Sequence, residues 1–344
     1  MPILNRSSFE PAWWLRSPHL QTLWPALFRR SRRPPGTRER LSTPDGDFVD
    51  LDWSGEASSP IVILLHGLSG SSRSRYIAGM QTALCKRGFR TVALNFRGCS
   101  GQPNQTARCY HSGDTGDLDH LYRQIKHRHP QTPLAAVGYS LGGNVLLKWL
   151  GEQGKGVGLF AAAAVSVPLQ LHLCADRMDR GFSRLYRNQL LRELKHYVRH
   201  KHDHLRQEGN TKEAGKLERL GDLAGIRSFW EYDDRVVAPL YAFRDVHDYY
   251  QQASSRQFLR SIHTPTLIIH STDDPFMTPA VIPRDDELSP FVHLEITPAG
   301  GHVGFVSGPV PGRPRYWLEQ RIPEFLDEQL RRSCPRRQAS SSPT

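Results

Sequence analysis

The stretch Gly138-Tyr139-Ser140-Leu141-Gly142 decides the fold. An apolar run at 133–137 precedes it and a helix-forming run at 144–150 follows it, which predicts a buried strand, a sharp turn and a helix. A serine in such a turn projects its hydroxyl from the sheet, and side chains at 138 and 142 would collide with the neighbouring strand and helix. This is the pattern of a nucleophile elbow. The alternative is a Gly/Ser loop at a helix end, which the flanking strand and helix disfavour.

A nucleophilic serine needs a carboxylate and a base, which follow it along the chain in this order. The apolar stretch 266–270 predicts a late buried strand that ends at Asp273 and Asp274, at the carboxyl edge of the sheet. We favour Asp274 as the catalytic acid because it directly precedes Pro275, and interpret Asp273 as a turn or capping residue. His302 has glycines on both sides, which suits a mobile loop that holds the imidazole over the serine. The sequence thus predicts a triad.

Backbone amides that could stabilise an oxyanion are also present. The aliphatic stretch 61–65 leads into His66-Gly67-Leu68-Ser69-Gly70. A loop at this place contributes one N–H and the residue after the nucleophile another, so we predict Leu68 and Leu141 as the oxyanion hole. His66 is interpreted as a buttress of this loop through hydrogen bonds, and not as a proton carrier.

Several further motifs occur in a fixed order along the chain. Those before the elbow are His19-Leu20-Gln21-Thr22, Pro44-Asp45-Gly46-Asp47-Phe48, the loop at 66–72, Asn95-Phe96-Arg97-Gly98-Cys99-Ser100-Gly101 and Tyr110-His111-Ser112-Gly113. With these, the elbow, 273–277 and 300–305, the chain resembles the YheT-like branch of the α/β-hydrolase superfamily from about Phe9 to Leu330. The resemblance implies a serine hydrolase of carboxylic esters, with lipid and short-chain esters as suggested substrates. Ser140, Asp274 and His302 match the family triad position by position.

The rest of the chain predicts an α/β-hydrolase fold with a doubly wound, mostly parallel sheet. Arg38–Ser42 and Asp47–Trp53 flank Asp45-Gly46, which is a hairpin signal. Predicted strands near 61–65, 90–95, 134–139 and 159–166 alternate with predicted helices near 76–87, 115–128 and 141–153. From Pro168 to about Ser261 this alternation stops, which predicts a helical cap.

We therefore divide the chain into a pre-core segment at 1–36, a hydrolase domain at 37–330 with a cap at about 168–261, and a basic, disordered tail at 331–344. Within the cap, Leu185–Lys201 and Lys212–Leu223 are predicted helices, and Asp233-Asp234-Arg235 is interpreted as an ion pair or turn. The cap is expected to shape the acyl pocket.

Local details complete these expectations. Val292–Ile296 alternates like an edge strand, and the last helix is predicted at Tyr316–Leu330. Pro25 is expected to interrupt any long helix in the pre-core segment. Asp114 is interpreted as the N-cap of the helix after it.

Composition excludes some functions. The 344 residues contain 45 Lys and Arg against 34 Asp and Glu, a formal charge of +11. Acidic residues are interspersed and no aromatic platform accompanies the basic ones, so we predict no nucleic-acid partner. Weak association of the segment around Arg29, Arg30, Arg32 and Arg33 with anionic membranes is a further hypothesis, with a solvated basic face as its alternative.

The cysteines and the chain start predict the location. The 5 cysteines are scattered, which is typical of reduced thiols, and the first residues lack the pattern of a secretory signal. We therefore predict a cytoplasmic protein.

The function predicted from these residues is hydrolysis of short- to medium-chain or lipid-like esters through an acyl-serine, without a metal or organic cofactor. Acyl transfer to another acceptor and thioester hydrolysis use the same triad and stay open as alternatives. A basic membrane- or partner-binding protein with a vestigial site is the alternative outside the enzymes.

Overall fold

The structure, a computed structural model, describes residues 3–4 and 7–333. In this part of the chain nine strands form the main sheet, with order β1-β9-β8-β7-β6-β4-β5-β3-β2. Neighbouring strands are parallel except at one side of the sheet, where β3 pairs antiparallel with both β5 and β2. The predicted doubly wound, mostly parallel sheet is therefore confirmed. The strands are β1 (Ile3–Leu4), β2 (Gly36–Ser42), β3 (Phe48–Ser54), β4 (Ile61–Leu65), β5 (Arg90–Asn95), β6 (Leu134–Tyr139), β7 (Ala161–Val165), β8 (Thr266–Ser271) and β9 (Val292–Thr297).

Apolar side chains cover both faces of the central strands. In β4 all residues are buried, with Ile61 and Ile63 in the core on one face and Val62 in the core on the other. Strands of this kind are apolar without alternation because helices cover a parallel sheet on both sides. Helices α3 (Gly116–Arg128) and α4 (Leu141–Gln153) contribute side chains to the first core, and α2 (Arg75–Lys86) and α11 (Leu318–Ser333) to the second.

Helices alone connect β7 to β8, and we call residues 171–261 the helical insert. Its apolar side chains, such as Leu191, Leu205 and Tyr249, form a core of their own. The insert contains α5 (Leu171–Met178), α6 (Ser183–Gln207), α7 (Thr211–Glu218), α8 (Phe229–Tyr232), the π-helical Asp233–Val237, α9 (Ala238–Leu240), α10 (Val246–Ala253) and the 3-10 helix Arg256–Ser261.

The two helices predicted in this region have bounds in the structure that differ from the predicted ones. Helix α6 extends beyond Lys201 because Leu205 continues the buried stripe of Leu194 and Val198. Helix α7 ends before Leu223, since Gly221 adopts φ +69° and this left-handed conformation follows the end of the helix.

The N-terminal segment differs from the prediction in two respects. Helix α1 (Pro18–Phe28) continues through Pro25. A proline removes one internal hydrogen bond of a helix, and burial of the Pro25 side chain offsets that cost. Strand β9 is not an edge strand: Ile3 pairs with Leu294 and Leu4 with Glu295 in a short parallel ladder. The local pattern of β9 could not reveal a neighbour almost 300 residues away.

Near the C-terminus the prediction needs smaller changes. A two-stranded antiparallel sheet forms from β10 (Val306–Ser307) and β11 (Arg315–Tyr316), so α11 begins after Tyr316. Residues 331–333 of the predicted tail belong to α11, and residues 334–344 lie outside the described part of the chain. Asp114 does not cap α3; its carboxylate accepts a hydrogen bond from Arg108 at 2.7 Å, and Thr115 is the N-cap residue.

Candidate active site

Ser140 lies in the turn between β6 and α4, with a strained backbone of φ 51° and ψ −119°. A Cβ on Gly138 would lie 2.5 Å from the Gly142 carbonyl oxygen, and one on Gly142 would lie 2.5 Å from the carbonyl oxygen of His66. Glycine is therefore required at both positions, as the sequence indicated. The turn places the serine at the carboxyl edge of the sheet, where the ends of parallel strands meet.

The other two predicted triad residues reach the same place. Asp274 follows β8 and His302 follows β9. His302 Nε2 lies 2.9 Å from Ser140 Oγ, and its Nδ1 lies 2.8 Å from Asp274 Oδ2. Both distances are hydrogen-bonding distances, so the three side chains form one continuous chain of hydrogen bonds.

The two adjacent aspartates have different contacts. Asp274 is buried, and its Oδ1 accepts a hydrogen bond from the Phe276 amide at 2.8 Å. The Phe276 ring in turn stacks on the His302 imidazole with 4.0 Å between centroids. Asp273 accepts a hydrogen bond from the Gly301 amide at 3.0 Å, which ties the turn to the loop that carries His302. Burial raises the pKa of Asp273, and no hydrogen bond joins it to His302 within the described chain.

Helix α1 holds the His302 loop, a contact that sequence reasoning missed. The His302 amide donates to Thr22 Oγ1 at 2.9 Å. The buried Gln21 side chain accepts from the Val306 amide at 2.7 Å and donates to the Val306 carbonyl at 3.0 Å. The motif at 19–22 was visible in the sequence, but only its position in space reveals what it contacts.

The glycines beside His302 also have a packing role. A Cβ on Gly301 would lie 2.6 Å from the Pro18 carbonyl oxygen, and one on Gly304 would overlap the Gln21 carbonyl oxygen. These glycines therefore permit the loop to pack closely on α1. The mobility of this loop, which the glycines indicate in the sequence, stays a prediction.

Two tyrosines hold the loop that precedes α2. The Gly67 amide donates to Tyr76 Oη at 2.8 Å, and the Ser69 amide donates to Tyr110 Oη at 2.9 Å. Within the described residues, the Leu68 amide between them has no hydrogen-bond acceptor, and neither does the Leu141 amide at the start of α4. Two N–H groups are thus free near Ser140, as an oxyanion hole requires.

His66 supports this loop through hydrogen bonds of both ring nitrogens. Its Nδ1 lies 2.7 Å from the Gly67 carbonyl oxygen, and its Nε2 accepts from the Phe96 amide at 3.1 Å. Burial lowers the pKa of His66 to about 4, so the ring is neutral at physiological pH. The contacts match the buttress that we predicted.

Two cavities adjoin Ser140. One of about 110 Å³ lies under the helical insert and is lined by apolar side chains, among them Leu171, Met178 and Met277. The other, of about 440 Å³, lies towards α1 and includes Thr22 and Arg75. Leu190 of α6 lines both cavities, whereas Leu194 lines neither.

The basic residues after α1 are less available than the sequence suggested. Arg29 is buried, pairs with Glu319 and lies over the Tyr316 ring at 4.0 Å. Arg33 pairs with the buried Asp52 at 3.0 Å. Of the four arginines at 29, 30, 32 and 33, Arg30 and Arg32 are exposed, whereas the other two form ion pairs with residues of the folded domain.

Metal-binding clusters and membrane-spanning helices are both absent from the described residues. No three His, Cys, Asp or Glu side chains are grouped so that they could hold a metal ion. No helix in residues 7–333 has the length and apolarity to span a membrane.

Comparison with known proteins agrees with this fold. A family model for the alpha/beta hydrolase fold matches residues 60–309. The chain therefore belongs to the α/β-hydrolase fold family.

Relatives of known name specify the branch. The chain is 41% identical to YheT of Escherichia coli (strain K12), which is named as a proposed esterase. The match extends over 336 residues, which is 96% of this chain and 96% of the relative. It is 31% identical to Phospholipase ABHD3 of Mus musculus, over 94% of this chain and 79% of the relative. The solved Pyrococcus furiosus esterase Pf2001 has the same fold, with a TM-score of 0.55 at 17% identity over 86% of this chain and 91% of that one. The protein is thus a YheT-like α/β hydrolase of the esterase and lipase type.

Proposed function

We propose that the protein is a serine hydrolase that cleaves carboxylic esters through an acyl-serine intermediate. The observation that carries this proposal is the chain of hydrogen bonds from Asp274 through His302 to Ser140, at 2.8 Å and 2.9 Å. A serine hydroxyl is a weak nucleophile until a base removes its proton, and this geometry places a base within reach.

Each residue of the proposed triad has one role. His302 Nε2 takes the proton of Ser140 Oγ as the oxygen attacks the ester carbonyl. Asp274 accepts the Nδ1 proton in a hydrogen bond, which fixes the imidazole tautomer and stabilises its positive charge. His302 then protonates the departing alcohol, and water cleaves the acyl-serine by the same route.

The developing oxyanion is proposed to bind the amides of Leu68 and Leu141. Amides that have no acceptor in the folded chain need no rearrangement to donate to it, and removing one such donor typically costs about 10² to 10³ in kcat. Tyr76 and Tyr110 support this role because they accept hydrogen bonds from the amides on both sides of Leu68 and so hold the loop.

We assign the acyl group to the cavity under the helical insert and treat 168–261 as a cap. The apolar lining by Leu171, Met178 and Met277 favours a short- to medium-chain or lipid-like acyl group. The wider cavity towards α1 then receives the alcohol part. This assignment rests on the chemistry of the walls.

A fluorophosphonate probe tests the proposal directly. It should label the protein at Ser140, as read by mass spectrometry of the labelled peptide, and the same preparation should hydrolyse p-nitrophenyl esters of graded chain length. Labelling elsewhere, or no turnover of any ester, would refute the proposal. Added glycerol or a thiol distinguishes the transferase alternative, because an acyltransferase would form the new ester in preference to free acid.

Weak association with anionic membranes is a second, finer proposal. Leu27 and Phe28 are 59% and 60% exposed at the end of α1, close in sequence to the exposed Arg30. Apolar side chains beside basic ones are typical of interfacial binding. Replacing Arg30 and Arg32 by Gln should weaken sedimentation with anionic vesicles in a salt-dependent way and leave hydrolysis of a soluble short ester unchanged. If the unmodified protein does not sediment with these vesicles, the proposal is wrong.

A further inference from the structure

The cavity under the helical insert contains one acidic group. Asp233, the first residue of the π-helical Asp233–Val237, lines this cavity together with Ser140. It also lines a smaller neighbouring cavity of about 60 Å³ under α6. Single π-helical turns within α-helices occur frequently at functional sites. Asp233 is thus one of the residues that form the wall of the proposed acyl pocket.

Asp233 is half-buried and has few hydrogen-bond partners. Its Oδ2 accepts a hydrogen bond from the hydroxyl of Tyr250 at 2.7 Å. No donor reaches its Oδ1, and no Lys, Arg or His pairs with it, within residues 7–333. Burial raises the pKa of Asp233 to about 7. Because this second oxygen has no partner among these residues, it is available to a donor that enters the cavity.

The adjacent Asp234 gives a contrast on the same turn. It is exposed, and its Oδ1 accepts a hydrogen bond from the Val246 amide at 3.0 Å, at the start of α10. Asp234 thus serves the insert itself. Asp233 contacts the rest of the insert through Tyr250, and it is also one of the residues that line the cavity.

A neutral hydrogen-bond donor on the bound ligand would suit Asp233 better than a cationic one. The remaining walls are largely apolar and contribute no second carboxylate. An ammonium group would lose its hydration in this space, which costs far more than the loss for a hydroxyl. A hydroxyl needs a single acceptor and leaves the rest of the acyl chain in apolar contact.

We propose that Asp233 is a specificity-determining residue that accepts a hydrogen bond from a hydroxyl on the acyl chain of the ester. The preferred substrates are then hydroxyacyl esters. The inference rests on the proposed ester hydrolysis at Ser140 and on the acyl chain occupying the cavity under the insert.

Matched pairs of substrates test the inference. They are p-nitrophenyl hexanoate and octanoate with their ω-hydroxy counterparts, which share one leaving group. At about pH 8, where Asp233 is ionised because the pH lies above its raised pKa, the hydroxy ester of at least one pair should have the higher kcat/KM in the unmodified protein. The expected factor is about 10-fold, since a hydrogen bond to a charged group contributes more than one to a neutral group.

Three variants identify the acceptor. Asp233→Asn should lower the preference for the hydroxy ester about 10-fold, and Asp233→Leu about 100-fold, because the hydroxyl would then be buried without a partner. Asp234→Asn is the matched control and should leave the preference unchanged. If only Asp233→Asn folds, it decides the result alone.

The outcomes separate a specificity role from a structural one. A structural role of Asp233 would change kcat/KM for both members of a pair by the same factor, and that result would overturn the inference. So would an equal or lower kcat/KM for every hydroxy ester in the unmodified protein, or a preference for ω-amino esters over ω-hydroxy esters. Turnover of the plain esters and fluorophosphonate labelling report the proposed hydrolase function separately.

Discussion

Two regions each contribute a carboxyl group near Ser140, and the partners of these groups differ. Asp274, at the edge of the sheet, is buried and accepts hydrogen bonds from His302 and from the Phe276 amide. Asp233, in the helical insert, has the Tyr250 hydroxyl as its partner on one oxygen. The sheet edge is therefore complete without a ligand, whereas the insert leaves a polar group for whatever enters the cavity. The difference suggests that the sheet edge determines the reaction and the insert the substrate.

Replacing Ser140 tests the sheet edge with the largest expected effect. Ser140→Ala should lower kcat on the order of 10⁶-fold, since the proposed acyl intermediate forms on this serine. The melting temperature should stay close to that of the unmodified protein, because only one hydroxyl is lost. Retained turnover in a folded variant would show that the reaction does not depend on this serine.

The two adjacent aspartates at the sheet edge come next. Asp274→Asn should lower kcat on the order of 10⁴-fold, because the imidazole is left in the wrong tautomer. Asp273→Asn is the matched control and should have a much smaller effect, since Asp273 contacts the Gly301 amide and not the imidazole. Steady-state kinetics of both variants would expose a wrong assignment if the order were reversed.

A substitution in the insert should change specificity without removing activity. Leu190→Ala should shift the ratio of kcat/KM between short and medium acyl esters by about 10- to 200-fold, as a lost apolar contact allows. Leu194, which lies one helical turn further along α6, does not line either cavity at Ser140. Leu191→Ala, in the core of the insert, is the control; it should lower stability and leave the ratio unchanged.

The contact between α1 and the His302 loop should have a moderate effect. Thr22→Val removes the acceptor of the His302 amide and should lower kcat about 10-fold with little change in KM, because a loosened loop misplaces the imidazole. Thr22→Ser should restore most of the activity. An unchanged kcat in the valine variant would mean that this hydrogen bond does not position His302.

The smallest expected effect concerns stability. The pKa of Asp233 is about 7 in the folded chain against an ordinary 3.8, so the folded state holds the proton more tightly. The stability of the folded state consequently falls as pH rises from about 4 to about 7. Asp233→Asn removes this penalty and should gain about 1 kcal/mol relative to the unmodified protein at about pH 8. This is a fraction of the roughly 4 kcal/mol that the full pKa shift corresponds to, because Asp233 is only half-buried and solvent screens its charge.

Thermal unfolding at several pH values measures this gain. It should be much smaller at about pH 4, where Asp233 is protonated in the folded state. An equal gain at both pH values would contradict the raised pKa, and a loss at about pH 8 would show that the carboxylate stabilises the insert.

Local patterns predicted most of the sheet and the residues of the proposed triad. Apolar runs such as Ile61–Leu65 and the glycines around Ser140 predict buried strands and a tight turn, because burial and backbone strain act within a few residues. The order of Ser140, Asp274 and His302 then followed from where the strands end. The helix bounds in the insert were less accurate, since packing and not propensity decides where such helices end.

Only the tertiary structure decided which distant residues meet. The sequence could not place Thr22 on the amide of His302, 280 residues away, or pair Ile3–Leu4 with β9. It could not distinguish Arg29, buried beside Glu319, from the exposed Arg30. Nor could it show that Asp233 and not Asp234 lines the cavity. Each of these facts depends on how complete elements pack against one another, and side-chain patterns within one element carry no record of its neighbours.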